Sequence, residues 1–198
     1  MIIPHWLWDV YGGILGMGAV TTILAWGIVW YRVEESIRVV PTLRLGQRLA
    51  IGDPPTGRVC VVVPAHNESR VIAALIDSLR RETYAQMRVV LVLDRCADDT
   101  ALLARAGIAG DERFEIIEID ACPPDWAGKV NAVHVGVTRS RGAADAQYLL
   151  FADADTVFSP GCIASSLALM RHRKLDLLSL LSPGSPSAVG PCPIWTIS

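Results

Sequence analysis

The sequence predicts an α/β fold, a mostly parallel sheet with flanking helices, preceded by one N-terminal transmembrane helix. Three observations carry this. From residue 58 onward, short Val-rich apolar runs alternate with segments of helical periodicity. Polar segments bearing carboxylates follow several of those runs directly. Near the start, Val10–Tyr31 is a stretch of 22 uncharged residues. A chain of 198 residues, 52% of them apolar and 19% charged, suits one domain with an appendage and excludes a disordered polymer. The net charge of −2, from 18 basic and 20 acidic residues, gives no footprint for nucleic acid, so none is expected as a partner.

The uncharged stretch is long enough to cross a bilayer, since about 20 helical residues span the hydrocarbon core. Trp6, Trp8 and Tyr11 stand at one end and Trp26, Trp30 and Tyr31 at the other, the belt pattern of the two interfaces. A signal peptide would need a basic leader and a shorter apolar core, and only His5 and the terminal amine precede this one. The competing reading is a buried helix of a soluble protein. Arg32, Arg38, Arg44 and Arg48 follow the span, offset by Glu34 and Glu35. Excess arginine stays in the cytoplasm, which places the bulk of the chain on the cytoplasmic face of the inner (plasma) membrane as a single-pass protein. Gly12 and Gly16 form a GxxxG that can seat a second helix, making a homodimer possible.

The expected division is an anchor over 1–31, a juxtamembrane segment and linker over 32–57, a folded region over 58–181 and a tail over 182–198. Ile51–Gly57 is rich in Pro and Gly and reads as the linker. Val59–Val63 is a continuous apolar run, suited to a strand buried on both faces. Ile72, Leu75, Ile76 and Leu79 then recur at helical spacing within 69–83. Val89–Leu93 is a second buried strand, and Asp98 can cap a helix that runs to about Ala106 and stops at Gly107. Glu115–Ile119 is a third strand. A helix over 129–139 would place Val130, Val133 and Val137 on one face. Tyr148–Phe151 is a fourth strand, Ser159–Pro160 a cap and first helical residue, and Leu175–Leu181 a fifth strand.

In such sheets ligands bind beyond the carboxyl ends of the strands. The segments found there, Pro64–Glu68, Asp94–Asp99 and Asp153–Asp155, should therefore converge on one acidic rim. An anionic substrate at that rim needs a cation. Asp153 and Asp155 lie where the chain turns at a strand end, so both can approach one ion. Oxygen donors suit Mg²⁺ or Mn²⁺, which bridge to phosphates. The five cysteines, Cys60, Cys96, Cys122, Cys162 and Cys192, are scattered and form no CxxC, as expected of reduced thiols in a cytosolic domain. The four histidines are scattered too and read as packing or surface residues.

VVVPAHNE (Val61–Glu68), VLDRCADDT (Val92–Thr100), WAGKVNAVHVG (Trp126–Gly136) and LLFADADTVFSPG (Leu149–Gly161) together resemble the family 2 glycosyltransferases of the GT-A fold. The wording is most similar to the membrane-anchored branch that includes hopanoid- and carotenoid-associated enzymes. The resemblance implies a metal-dependent, inverting transfer of a sugar from a nucleotide-sugar, UDP-linked by preference, to a lipid or other membrane-associated acceptor. It implies that Pro64 and Glu68 line the nucleoside pocket, with Glu68 reaching the ribose. Asp94 would accept a hydrogen bond from the base, and Lys129 would lie near the phosphates or the sugar. Asp153 and Asp155 would form the DxD, with Asp155 as the direct metal ligand.

Plainer readings stand beside these. Glu68 can simply start a helix, where an acid favours the dipole, and Asp94 can be turn chemistry. Two departures from the family pattern occur, Leu93 where an acid is usual and Asn131 where tryptophan is frequent. The family's general base comes from well downstream of the DxD, and the 17 residues from Ser182 to Ser198 hold four Ser, four Pro and two Gly. A C-terminally truncated enzyme is therefore expected, with the catalytic base in the missing half. Its alternative is a catalytically dead nucleotide-binding fragment. Asp153-Ala154-Asp155-Thr156 also resembles the first motif of haloacid-dehalogenase-type phosphatases, with Asp153 as nucleophile.

Overall fold

The computed structural model describes residues 5–39, 43–180 and 194–195. Two compact units divide the chain at Pro41 and Thr42. The first unit is one helix, α1 (His5–Val39), which has 35 residues. Its segment Gly12–Glu35 is long and apolar enough to cross a membrane, and none of it is buried by protein.

The second unit contains α2 (Leu43–Gly52), β1 (Val59–Ala65), α3 (Ile72–Arg80), β2 (Met87–Asp94), α4 (Thr100–Ile108) and β3 (Phe114–Ile119). These are followed by α5 (Gly128–Arg139), α6 (Arg141–Ala144), β4 (Tyr148–Phe151), α7 (Cys162–Arg173) and the short β5 (Ser179–Leu180) and β6 (Ile194–Trp195). Four strands form a parallel sheet in the order β3-β2-β1-β4. The α/β class expected from the alternation is the one observed.

β1 and β2 lie in the middle of this sheet, and Cys60–Val63 and Val90–Val92 are wholly inaccessible to solvent. Burial on both faces is why these strands read as continuous apolar runs. One face packs Cys60, Val62, Val90 and Val92 with Ile119 against Ala132 and Val135 of α5. The neighbouring residues of each strand point the other way. Among the described residues, α3 contributes fully buried Ile72, Leu75, Ile76 and Leu79.

Several expectations change. The buried face of α5 is Asn131, Ala132, Val135 and Gly136, while Val130 is 57% exposed. The helix lies so near the sheet that a Cβ at Gly136 would stand 2.8 Å from Val62 and from Val92. Close approach at Ala132 and Gly136, with Val135, thus decides which side faces in, and Val130 turns outward. α4 passes through Gly107 and ends at Ile108, capped by Ala109 in the left-handed conformation at φ 50°. Asp98 precedes that helix by two residues, accepting hydrogen bonds from the Thr100 N–H and hydroxyl. α7 starts at Cys162, later than Ser159–Pro160, and its first turn is bound from a distance. The buried Glu82 carboxylate accepts from the N–H groups of Gly161 (2.9 Å) and Ile163 (3.3 Å). The described part of Leu175–Leu181, up to Leu180, adds no strand to the parallel sheet. Only Ser179–Leu180 is extended, paired antiparallel with Ile194–Trp195, and Leu177 is 62% exposed. The stretch expected as juxtamembrane segment and linker contains α2, whose Leu43 and Gly46 are buried and whose neighbour is α7. Apart from Ile194–Trp195, the tail 182–198 lies outside the described residues.

Candidate functional site

The chain runs from β1 to β2 to β3 on one side and then crosses to β4 on the other side of β1. This reversal makes β1/β4 the switch point of the sheet, and the crevice beyond the carboxyl ends of these strands is the expected ligand site. A cavity of about 370 Å³ opens there, lined by Pro64, His66, Glu68, Asp94, Lys129 and Asp155, among others. Asp153 lines it too, so all six residues expected at the site meet in one place, along with Arg95 and Gly128. A larger cleft of about 840 Å³ lies at the opposite, amino end of the strands, lined by Arg58, Arg88, Arg113 and Arg141 among others.

Local structure explains the convergence. The Val62 carbonyl accepts from Ala152 N–H, and β1–β4 pairing ends at Val62–Phe151. Pro64, two residues on, faces the same side where β4 has already turned away, so its lack of an N–H leaves no ladder bond unmade. β1 and β2 instead stay paired to Ala65–Leu93. Beyond their ends, two loops are stitched together. His66 Nδ1–H donates to the Asp94 carbonyl at 2.5 Å. Asn67 Oδ1 accepts from Ala97 N–H at 2.8 Å, and Asp98 Oδ2 from Ser69 N–H at 3.2 Å. Asn67 and Arg95, at φ 56° and 47°, make the turns in the left-handed region.

Asp94 is buried to 3% exposure, and Arg95 grips both of its carboxylate oxygens, Nε–Oδ1 at 2.8 Å and Nη2–Oδ2 at 2.9 Å. That grip holds the carboxyl below the usual carboxylate range. Its burial against the end of β2 is more than turn chemistry requires. Glu68 is half-buried on the cavity wall and precedes α3 by four residues, so it is outside the first turn of that helix. Its carbonyl, rather than its carboxylate, accepts from the N–H groups of Val71 and Ile72.

The turn closed by Thr156 N–H on the Asp153 carbonyl carries exposed Asp153 and Asp155 on either side of buried Ala154. Lys129 Nζ sits 2.7 Å from Asp153 Oδ1, and both side chains are largely exposed. Gly128 and Lys129 begin α5, so the positive end of a 12-residue helix opens on the cavity. Among the described residues, no three or more His, Cys, Asp or Glu side chains stand close enough together to hold a metal ion by themselves. Two carboxylates are nevertheless a fitting donor set for a hard cation that takes its other oxygens from a diphosphate and water.

His66 and Arg95 are the site residues that sequence reasoning did not single out. Position after a buried strand was the available signal for both, but their roles depend on partners about 30 positions away or on a turn conformation.

Against known proteins, the family model described as Glycosyl transferase family 2 matches residues 60–185. The chain belongs to this family. Those residues include the whole parallel sheet except Val59, the first residue of β1, and every named residue of the smaller cavity. The chain is 30% identical over 114 residues to the amylovoran biosynthesis glycosyltransferase AmsB of Erwinia amylovora, covering 57% of this chain and 35% of that protein. It is 19% identical over 120 residues to glycosyltransferase GlyG of Streptococcus pneumoniae, covering 61% and 37% respectively. The chain thus spans about a third of the length of these curated relatives. Among solved structures, the mannosyltransferase PcManGT of Pyrobaculum calidifontis, in complex with GDP-Man and Mn²⁺, superposes with a TM-score of 0.59 at 16% identity, covering 84% of this chain and 45% of its own. TarS 1-349 of S. aureus, in complex with UDP-GlcNAc, gives 0.50 at 16% identity, covering 63% and 33%. These likenesses establish the GT-A-like fold. Family membership also replaces the phosphatase reading of Asp153.

Proposed function

We propose that residues 58–181 are the nucleotide-sugar half of a metal-dependent, inverting glycosyltransferase, anchored through α1 in the inner membrane with this half on the cytoplasmic side. A lipid or other membrane-associated molecule is the acceptor. The observation that carries the reading is the convergence of Glu68, Asp94, Lys129, Asp153 and Asp155 on one cavity at the switch point of the sheet.

In this reading Pro64 and Glu68 wall the nucleoside, with Glu68 on the ribose, and Asp94 accepts a hydrogen bond from the base. Asp153 and Asp155 hold Mg²⁺ or Mn²⁺, with Asp155 as the direct ligand, since Asp153 already carries Lys129. The cation supplies Lewis-acid neutralisation of the diphosphate leaving group. Lys129 and the amino end of α5 add positive charge beside the same group. During transfer a bond forms between an acceptor oxygen and the anomeric carbon, and the bond from that carbon to the diphosphate breaks. The residues of this cavity bind and orient the donor. None of them is assigned as the base that takes the acceptor's proton. Gly12 and Gly16, four apart on α1 with no protein within 4 Å, offer a small-residue face to a second copy's helix.

Calorimetry of the full chain with UDP and Mn²⁺ tests the site. Binding that requires Mn²⁺ and is abolished by Asp155→Ala is expected, and equal affinity in the variant contradicts the assignment.

A further inference from the structure

We infer that Arg95 reads the base of the donor. With Asp94 it forms a paired acceptor and donor that selects a nucleotide whose base carries an N–H beside a carbonyl, as uracil, thymine and guanine do. The inference rests on the nucleotide-sugar reading of this cavity and adds to it a residue and a rule of selection.

Arg95 is placed by its backbone rather than by chance of rotamer. Its N–H donates to the Ile119 carbonyl at 2.9 Å, tying the turn after β2 to the end of β3. Its left-handed φ of 47° then sends the side chain back over Asp94 instead of onward along the strand. The two guanidinium contacts to Asp94 involve Nε and Nη2. Nη1 has no protein partner among the described residues, and both residues line the cavity. The Asp94 side chain is 4% exposed and that of Arg95 is 42% exposed. The cavity therefore presents a carboxylate acceptor at its floor and a guanidinium donor toward its mouth, side by side.

Gly128 keeps this pair intact. A Cβ at that position would stand 2.7 Å from Arg95 Nη2 and 2.9 Å from Asp94 Oδ2. The first residue of α5 thus has room for a hydrogen and nothing larger against the pair. An ordinary surface ion pair between neighbours needs no such clearance. Neither does it need one partner sunk in the end of a central strand.

The chemistry follows from the order of the two groups. A carboxylate oxygen keeps a second lone pair after one hydrogen bond, so Asp94 can still accept while Arg95 holds it. A ring N–H pointed at Asp94 places the adjacent carbonyl oxygen against Arg95, and both hydrogen bonds are charge-assisted. Cytosine or adenine with the same ring nitrogen at Asp94 presents an unprotonated nitrogen to the carboxylate and an amino group to the guanidinium, and both contacts are repulsive. Either base pairs with the two groups only by shifting one position, amino group to Asp94 and ring nitrogen to Arg95, away from where a ribose held at Glu68 sets the base.

The test is calorimetry of the full chain in detergent, with Mn²⁺ and each of UDP, GDP, CDP and ADP in turn. The wild type should bind UDP or GDP about tenfold or more tighter than CDP and ADP, and the tighter of the two names the base. Arg95→Ala should shrink that preference to within about threefold, chiefly by weakening binding of the preferred nucleotide, with an unchanged circular-dichroism spectrum. Arg95→Lys, which keeps one charged donor, should recover part of it. An unchanged preference in Arg95→Ala reduces Arg95 to a positioning partner of Asp94 and overturns the inference. So does a wild type that prefers CDP or ADP. A wild type that binds no nucleotide overturns the nucleotide-site reading itself, an outcome distinct from the other two.

Discussion

Asp94 and Lys129 show how single residues divide the work of the cavity. Asp94 is buried and gripped by its neighbour, whereas the Lys129–Asp153 pair stands in solvent, where such a contact contributes about 1 kcal/mol or less. The first is a fixed element of shape, and the second, in the proposed function, exchanges partners when the diphosphate and the cation bind. The Asp94–Arg95 pair has a consequence for acid stability. The Asp94 carboxyl titrates below its ordinary value of 3.8, chiefly because of the Arg95 hydrogen bond. A depressed folded-state pKa contributes stability that is present above the ordinary value and lost as pH falls below it. The stability difference between wild type and Arg95→Ala should accordingly be full at about pH 5 and shrink toward about pH 2, measured by urea unfolding across that range. A difference independent of pH would show that the pair contributes nothing through the charge of Asp94.

At the scale of elements, what was legible in the sequence is what local pattern encodes. β1 and β2 are surrounded on both faces, so their residues are uniformly apolar and their strands stand out. β4 pairs on one side with β1 and leaves Phe151 56% exposed, yet its four apolar residues between polar flanks marked it equally well. Helix ends were less legible, because distant groups decide them. Glu82 lies 79 residues before Gly161, and nothing near Ser159–Pro160 signals that a carboxylate from the α3–β2 turn will bind the first N–H groups of α7. The same carboxylate accepts from Thr83 and Tyr84, so it fastens the turn and the helix together. Replacing it with alanine strands several buried donors at once. Glu82→Ala should therefore destabilise the fold by about 2 kcal/mol or more, read as a lowered unfolding midpoint. An unchanged midpoint would mean that water takes over the cap. The inward side of α5 was hidden for a different reason. Apolar periodicity points to Val130, Val133 and Val137, but close approach to the sheet favours Ala132 and Gly136, which periodicity cannot rank. The site was readable as a place before it was readable as a mechanism. Strand ends located Asp94, Asp153 and Asp155, while the contributions of His66 and Arg95 depend on turns whose conformation is set by bonds across the sheet.

For the whole molecule, one helix suited by length and composition to a bilayer precedes a unit whose parallel sheet places its carboxylates at one end. The opposite end holds a larger cleft rich in arginine, and its volume alone would recommend it for an anionic ligand. Chemistry favours the smaller cavity. It combines oxygen donors for a cation, a lysine, the amino end of a 12-residue helix and a buried carboxylate within one crevice at the switch point. At the amino end Arg58, Arg88 and Arg113 are already bound to the Asp145 carbonyl, the Glu112 carbonyl and the Asp111 carboxylate, and Glu112, Glu115 and Asp145 line the same cleft. The family match, over residues 60–185, takes in the smaller cavity and all of the larger cleft but Arg58 and Val59, and so does not choose between them. A crystal of the full chain grown with UDP and Mn²⁺, measured at a wavelength where manganese scatters anomalously, does choose. The account predicts one anomalous peak within coordination distance of Asp155, at about 2.0–2.6 Å, with the nucleotide in the cavity beside Asp94 and Glu68. Nucleotide in the arginine-lined cleft, with no manganese at Asp155, would contradict it.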